Sequence, residues 1–152
     1  MARLIYRRAV EADLPVIIAL LADDVLGSSR EIASAAVAQP YLDAFSEIEA
    51  DANQLQCVVE EDGEIVGTLQ VTLIPCLSRG GAKRGQIEGV RVVRNRRGEG
   101  IGEAMFAWAV DYCRSQGCSL VQLTTDKARP DAHRFYDRIG FVPSHVGYKM
   151  TL

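Results

Sequence analysis

The stretch Val90-Arg91-Val92-Val93-Arg94-Asn95-Arg96-Arg97-Gly98-Glu99-Gly100-Ile101-Gly102 reads as the end of a β-strand, a short basic turn and the start of a helix. The strand is expected over 86–93. The helix is expected over 100–116, because Ile101, Met105, Trp108, Ala109 and Tyr112 recur at the spacing of one buried stripe. The first turn of a helix leaves backbone N–H groups unpaired at the positive end of its dipole. Glycines at 98, 100 and 102 remove the Cβ atoms that would keep an anion from those amides. With Arg94, Arg96 and Arg97 alongside, the stretch suits a phosphate or pyrophosphate. A Walker A loop would follow its last glycine with Lys and Ser or Thr, and Glu103 follows Gly102. A dinucleotide fingerprint would need a third glycine, which neither Glu103 nor Met105 supplies. The bland alternative is a tight turn made cheap by glycine.

Working outward, 120–125 reads as a strand, 130–138 as a short helix stopped at Gly140, and 146–152 as a closing strand. Upstream, 55–61 and 64–74 read as strands joined at Asp62-Gly63, the strongest short hairpin signal. On the second, Ile65, Gly67, Leu69, Val71 and Leu73 fall on one face, and Thr68, Gln70 and Thr72 on the other. A strand is expected at 4–8. A helix carrying Leu14, Ile17, Ile18, Leu21 and Val25 follows, with Asp13 as cap and Pro15 in its first turn. Gly27-Ser28-Ser29 breaks it. A second helical region is expected over 31–51, interrupted before Pro40. Residues 75–85 read as a Gly-rich basic loop. Strands mixed with helices place the chain in the α/β or α+β class.

The chain has 152 residues, 48% hydrophobic and 24% charged, which suits one soluble domain spanning 1–152. A net charge of −3 argues against a general nucleic-acid binder. Cys57, Cys76, Cys113 and Cys118 form no C-x-x-C pair and have no histidine at ligand spacing, so reduced thiols and no metal are expected. The apolar run at the N-terminus is too short for a signal peptide, and no run approaches a membrane span. The cytoplasm is the expected location, with no membrane partner.

Arg97-x-x-Gly100-x-Gly102 resembles the pyrophosphate loop of the GCN5-related N-acetyltransferases (GNAT), and Phe135-Tyr136 with Gly140-Phe141 resembles their second signature. The two come in the family's order, and the likeness spans nearly the whole chain. It implies a single-domain fold with a mixed, mostly antiparallel sheet of six or seven strands and about four helices. It implies acetyl-coenzyme A as cosubstrate and no metal. Val90 and Val92 would then contact the pantetheine arm through their main chain, in a gap beside a bulge that Gly89 suits. Arg97, Gly98, Gly100, Ile101 and Gly102 would hold the diphosphate. Arg129 stands where many relatives carry asparagine, so it would meet a phosphate or an anionic group of the acceptor. Arg94 stands where relatives often have proline. Many similar enzymes pair as homodimers.

Acetyl transfer to an amine needs a neutral nucleophile, a donor for the developing oxyanion and a proton for the leaving thiolate. The resemblance assigns the proton to Tyr136, the base to Glu88 directly or through water, and the oxyanion to the N–H of Val92. Packing alone would also explain Tyr136, and a solvated or ion-paired carboxylate would explain Glu88. A partly buried cleft would raise the Glu88 pKa. His133 shares a helix face with Tyr136, where it would tune the tyrosine, touch the cofactor or lie on the surface. His145 is read as a surface histidine. The acceptor is a small-molecule or peptide amine, shaped by residues 22–51 and 75–85. Asp43, Glu47, Glu49 and Asp51 oppose Arg79, Lys83 and Arg84 in sign, so they choose no acceptor. A non-catalytic acetyl-coenzyme A-binding module and a nucleic-acid-linked regulator are the alternatives.

Overall fold

The computed structural model describes residues 3–24, 26–34 and 36–152, so the expected stripe position Val25 lies outside the described residues. Strand β1 is Ile5–Arg8, β2 Gln54–Glu61, β3 Glu64–Ile74, β4 Lys83–Val92 and β5 Cys118–Gln122. Helices are α1 Leu14–Ala22, α2 Gly27–Arg30, α3 Gln39–Ala50, α4 Ser78–Gly81, α5 Ile101–Ser115 and α6 Pro130–Arg138. The sheet runs β1-β2-β3-β4-β5, antiparallel except for the parallel β4–β5 pair. The architecture is α/β as expected, with five strands rather than six or seven among the described residues, and six helical segments there rather than about four. The strand expected at 146–152 does not join the sheet. Two extra helices, α2 and α4, are single turns.

The β2–β3 hairpin forms where Asp62-Gly63 demanded. Both residues have positive φ, 52° and 83°, as a two-residue turn with the twist of its strands requires. The face assignment on β3 needs correction. The register shifts at Val59/Glu60, and the extra residue, Val66, changes the parity of the strand. Val66 therefore joins Leu69, Val71 and Leu73 under α5, while Ile65 packs with the cluster under α1 and α3. Thr68 is fully buried, because helices cover both faces of the sheet. Its hydroxyl donates to the Cys57 carbonyl at 2.8 Å and accepts from Gln56 Nε2 at 2.9 Å, so the burial leaves no polar group orphaned.

The stripe on α5 is also turned from the expected one. Ile101, Met105 and Ala109 are buried as expected, but Phe106 and Cys113 accompany them. Trp108 and Tyr112 are only half-buried, because they stack in a row with Tyr6 of β1, with centroids 4.6 Å and 5.5 Å apart. Gly67 lets α5 lie close to the sheet: a Cβ there would come within 2.8 Å of Met105 Sδ and 2.9 Å of the Arg91 carbonyl. Residues 31–34 and 36–38 are not helical; the second helix begins at Gln39, with Pro40 in its first turn.

Arg7 ties β1 to the start of α1. It donates to Asp13 Oδ2 at 2.7 Å and to Glu60 Oε1 at 2.8 Å, and Asp13 also accepts from the Val10 amide at 2.8 Å. The Arg7 bonds hold the Asp13 carboxyl below its ordinary value near 3.8, against the opposing effect of its burial. A depressed folded-state pKa stabilises the fold above the unfolded value, and that contribution is lost as pH falls through the folded one. Asp13→Asn is therefore expected to lower stability by about 1–2 kcal/mol at neutral pH. In urea titrations the difference from the unsubstituted chain should shrink as pH falls below about 4. A difference independent of pH would show that the Arg7–Asp13 pair contributes nothing.

Candidate active site

Strands β4 and β5 pair only where Lys83–Gln86 meets Cys118–Gln122. From Ile87 onward β4 keeps its β3 neighbour and has no partner on the β5 side among the described residues. The cause is local. Gly89 has φ 63°, and Gly89 and Val90 together oppose Leu69, so the strand bulges away from its neighbour. Val93 donates to the Val66 carbonyl at 2.9 Å. Strand alternation then turns the N–H and C=O of Val92 the other way, into the gap. Two arginines take the carbonyls: Arg97 Nε donates to Val92 O at 3.1 Å, and Arg91 Nη1 to Val90 O at 3.0 Å.

At the end of this edge the chain turns through a 3-10 segment, Arg94–Arg96, into α5. Gly98 and Gly100 have φ 85° and 83°, and a Cβ on either would touch nothing within 4 Å. Backbone conformation, not crowding, demands glycine there. Gly102 is different: its φ is ordinary and a Cβ would sit 3.9 Å from Val92 Cγ2, which is normal contact. Among the described residues no side chain caps α5, and its first intrahelical bond runs from the Ala104 amide to Gly100 O at 3.0 Å. The amides at Ile101, Gly102 and Glu103 thus face outward with no helical acceptor. Gap, glycine turn and open amides thus follow one another along a single stretch of main chain.

Each of the three arginines of the turn has a carboxylate partner. Asp23, just past α1, pairs with Arg94 and with Arg97, whose Nη2 lies 3.0 Å from its Oδ2. The hydrogen bond from Arg94 is the main cause lowering the Asp23 pKa. Arg96 pairs with Glu61 and with Glu99.

Tyr136 lies on α6 in a cage of Phe106, Phe135 and Phe141, with centroids 5.6, 5.5 and 6.2 Å from its ring. Burial pushes its pKa above the ordinary 10.0, partly opposed by Arg129 and Arg91. The hydroxyl keeps its proton at neutral pH and has no hydrogen-bond partner among the described residues. Glu88 is exposed rather than partly buried, and no ion-pair partner engages it among the described residues. His133 turns its ring to the Asp126 carbonyl, with Nε2 at 3.0 Å, and not to the tyrosine. His145 meets Ser144 Oγ at 2.7 Å. Arg129 is exposed at the N-terminus of α6.

Sequence reasoning missed Asp24. Its side chain is 17% exposed; it accepts from the Gly27 amide and lies 2.9 Å from Arg91 Nη2. Burial opposes its ionisation, but Gly27, Arg91, Arg129 and Arg30 together lower its pKa. The overlooked signal was Arg91 itself: an arginine between two valines of a half-buried strand requires a buried acid. The acidic run on α3 is solvent-exposed, and Lys83 is held by the Gln116 carbonyl at 3.1 Å. A cavity of about 280 Å³ lies between α1 and residues 32–37, lined by Pro15, Ile18 and Val37 among others. It includes no residue of β4, the glycine turn or α6.

A model described as the Acetyltransferase (GNAT) family matches residues 22–141. The chain is 32% identical over 114 residues to an aminoalkylphosphonate N-acetyltransferase of Salmonella typhimurium, covering 75% of this chain and 73% of that protein. It is 38% identical over 80 residues to a glucosamine 6-phosphate N-acetyltransferase of Trypanosoma brucei brucei, covering 52% of each. Its fold overlays on the crystal structure of a transcriptional regulator from Bacillus halodurans C-125 with a TM-score of 0.94 and 46% identity, covering 99% of this chain and 100% of that one.

The bulge supplies a clean test of the gap. A Cβ on Gly89 would sit 3.7 Å from Leu21 Cδ2, an ordinary contact, so Gly89→Ala pays only the left-handed backbone cost. It should destabilise by roughly 1–2 kcal/mol in denaturant titrations. A loss well beyond that range would mean the site is crowded, and no loss would mean the bulge relaxes.

Proposed function

The chain belongs to the acetyltransferase (GNAT) family and is an N-acetyltransferase; we propose that it moves the acetyl group of acetyl-coenzyme A directly to a primary amine on a small anionic acceptor. The observation that carries this reading is the unpaired inner edge of β4 over 87–92 leading into the uncapped start of α5. The residues fit the donor. The main-chain groups of Val90 and Val92 line the gap as an added strand would need, and the turn over Arg97, Gly98, Gly100, Ile101 and Gly102 offers amides to a diphosphate. Acetyl-coenzyme A supplies the thioester. The amine nitrogen bonds to the thioester carbonyl, the C–S bond breaks, and Tyr136 gives its proton to the departing sulfur. The Val92 N–H, directed into the gap, meets the developing oxyanion. Glu88 accepts the amine's proton through water, a route its exposure suits better than direct contact. His133 positions α6 through Asp126.

For the acceptor, Arg129 is the informative residue. It acts electrostatically on both Tyr136 and Asp24, so its positive charge lies beside the proposed chemistry, and no ion pair engages it among the described residues. The two curated relatives named above act on an aminoalkylphosphonate and on glucosamine 6-phosphate, each an amine bearing an anionic phosphorus group. We assign Arg129 to such a group here.

Thiol release from acetyl-coenzyme A tests these roles. Tyr136→Phe should lower kcat by about 10²-fold or more while donor affinity barely changes. Its hydroxyl makes no bond to lose, so the melting temperature should hold. Aminoalkylphosphonates or amino-sugar phosphates should exceed the same amines without phosphorus by about tenfold in kcat/KM, and Arg129→Ala should remove most of that preference. Absence of thiol release with every amine would end the catalytic reading; equal rates with both amine classes would end the anionic one.

A further inference from the structure

Helix α5 runs out through Cys113-Arg114-Ser115-Gln116-Gly117-Cys118, and the turn that stops it sets two sulfurs together. Gly117 has φ 83°, and its amide donates to the Arg114 carbonyl at 3.1 Å, the pairing of a left-handed helix stop. Such a stop brings the residue just past the glycine back over the residue one turn inside the helix, where two apolar side chains usually meet. Here those two positions hold Cys118 and Cys113.

The sheet closes the contact from its own side. Gly85 of β4 lies against both thiols: a Cβ there would come 2.4 Å from Cys113 Sγ and 3.8 Å from Cys118 Sγ. The two sulfurs thus converge on the space that a missing side chain leaves. Burial pushes the Cys113 thiol up to about 12, and the neighbouring Cys118 adds to that rise. No disulfide joins the two in this structure.

The two thiols differ in access. Cys113 is fully buried, whereas Cys118 is half-buried at the start of β5. Lys83 stands opposite Cys118 in the β4–β5 ladder, and its ammonium donates to the Gln116 carbonyl at 3.1 Å. A cation beside a reachable thiol assists its attack on an electrophile. The strand also has slack at this point. Lys83 pairs with Cys118 and Arg84 with Leu120, so Ser119 is left over, and Cys118 can move toward α5 without sliding the rest of β5.

We propose that Cys118 and Cys113 form a peroxide-responsive pair, in which Cys118 takes the oxidant and Cys113 resolves it as a disulfide. The Cys118 sulfur attacks one oxygen of hydrogen peroxide, the O–O bond breaks, and a sulfenic acid and one water form. The Cys113 sulfur then attacks the Cys118 sulfur. The S–O bond breaks, the Cys113 proton leaves with the hydroxyl as a second water, and the S–S bond forms. Two electrons pass from the thiols to peroxide. Burial keeps Cys113 away from the oxidant, and its position against Cys118 makes the second step intramolecular. The link fastens the end of α5 to the first residue of β5, across the stretch of β4 that stays paired. It also spares Cys118 from sulfinic acid, which thiols do not reverse.

Tryptic mapping tests the pair, because Arg114 lies between the two cysteines. The full native chain is treated with hydrogen peroxide, alkylated in denaturant and digested. Peptides 98–114 and 115–127 should appear joined, lighter than their sum by two hydrogens, and dithiothreitol should separate them. In Cys113→Ser the same dose should carry Cys118 on to sulfinic acid. Alkyl groups on both Cys113 and Cys118 after peroxide would overturn the proposal. So would sulfinic acid at Cys118 of the unsubstituted chain with Cys113 still alkylated. These two readings need only the unsubstituted chain, so they hold even if the serine variant fails to fold. No acetyl donor or acceptor enters them, and they stand apart from the fate of the acetyl-transfer reading.

Discussion

The main chain of β4 over 87–92 has one side bonded and one side not, and the rest of the molecule is arranged around that asymmetry. Backbone N–H and C=O groups shielded from water are costly to leave unpaired. The Gly89 bulge imposes the parting by rotating the strand away from β5 after Gln86. Arg91 and Arg97 then satisfy the carbonyls of Val90 and Val92, while the inward N–H of Val92 has no strand partner on that side. A strand-like ligand restores what the missing neighbour would have given. On the proposed reading, the donor's amide-bearing arm is that strand.

Holding such an edge open requires the arginines around it to be balanced when no ligand is bound. Two consecutive aspartates at the end of α1 do this. Asp23 takes Arg94 and Arg97 from the turn, and Asp24 takes Arg91 from the strand. The pairs differ in kind. Asp24 and Arg91 are each about one-sixth exposed and help fix α1 against β4, while Arg94 is 76% exposed and its pair with Asp23 is screened. An anion arriving at the turn competes with Asp23 for Arg97 without disturbing the buried pair. The sequence showed the arginines but not their counter-charges, because acid and base come from segments far apart in the chain.

That limit recurs. Features governed by neighbours in sequence were legible: the Asp62-Gly63 turn, the Gly89 bulge, α6 from Pro130 to Arg138, and the glycine turn before α5. Features governed by neighbours in space were not. Val66 changes the parity of β3 because β2 opposes it with one residue fewer, and Trp108 leaves the α5 core to stack on Tyr6, a residue of another strand. Glu88 was expected to be partly buried because it lies two residues before Val90, yet its side chain is exposed. The alternation at 146–152 predicted a closing strand, yet the run has no ladder partner among the described residues, because alternation alone does not supply a neighbour.

Helix α5 joins the two ends of the proposed chemistry. Its first turn offers unbonded amides beside the glycine turn, and Phe106, one turn further on, forms the wall against which Tyr136 packs. A helix is stiff over this distance, so the first-turn amides and the tyrosine ring are held in fixed relation without any direct contact. The stiffness depends on seating, and Gly67 beneath Met105 lets α5 sit against β3 at a separation no larger residue permits. A bulkier side chain there would tilt the helix and move amides and tyrosine together. Their relative geometry would survive, but their alignment with the β4 edge would not. The spacing between helix and sheet, set by one missing Cβ, is thus a condition for the site as well as for the core.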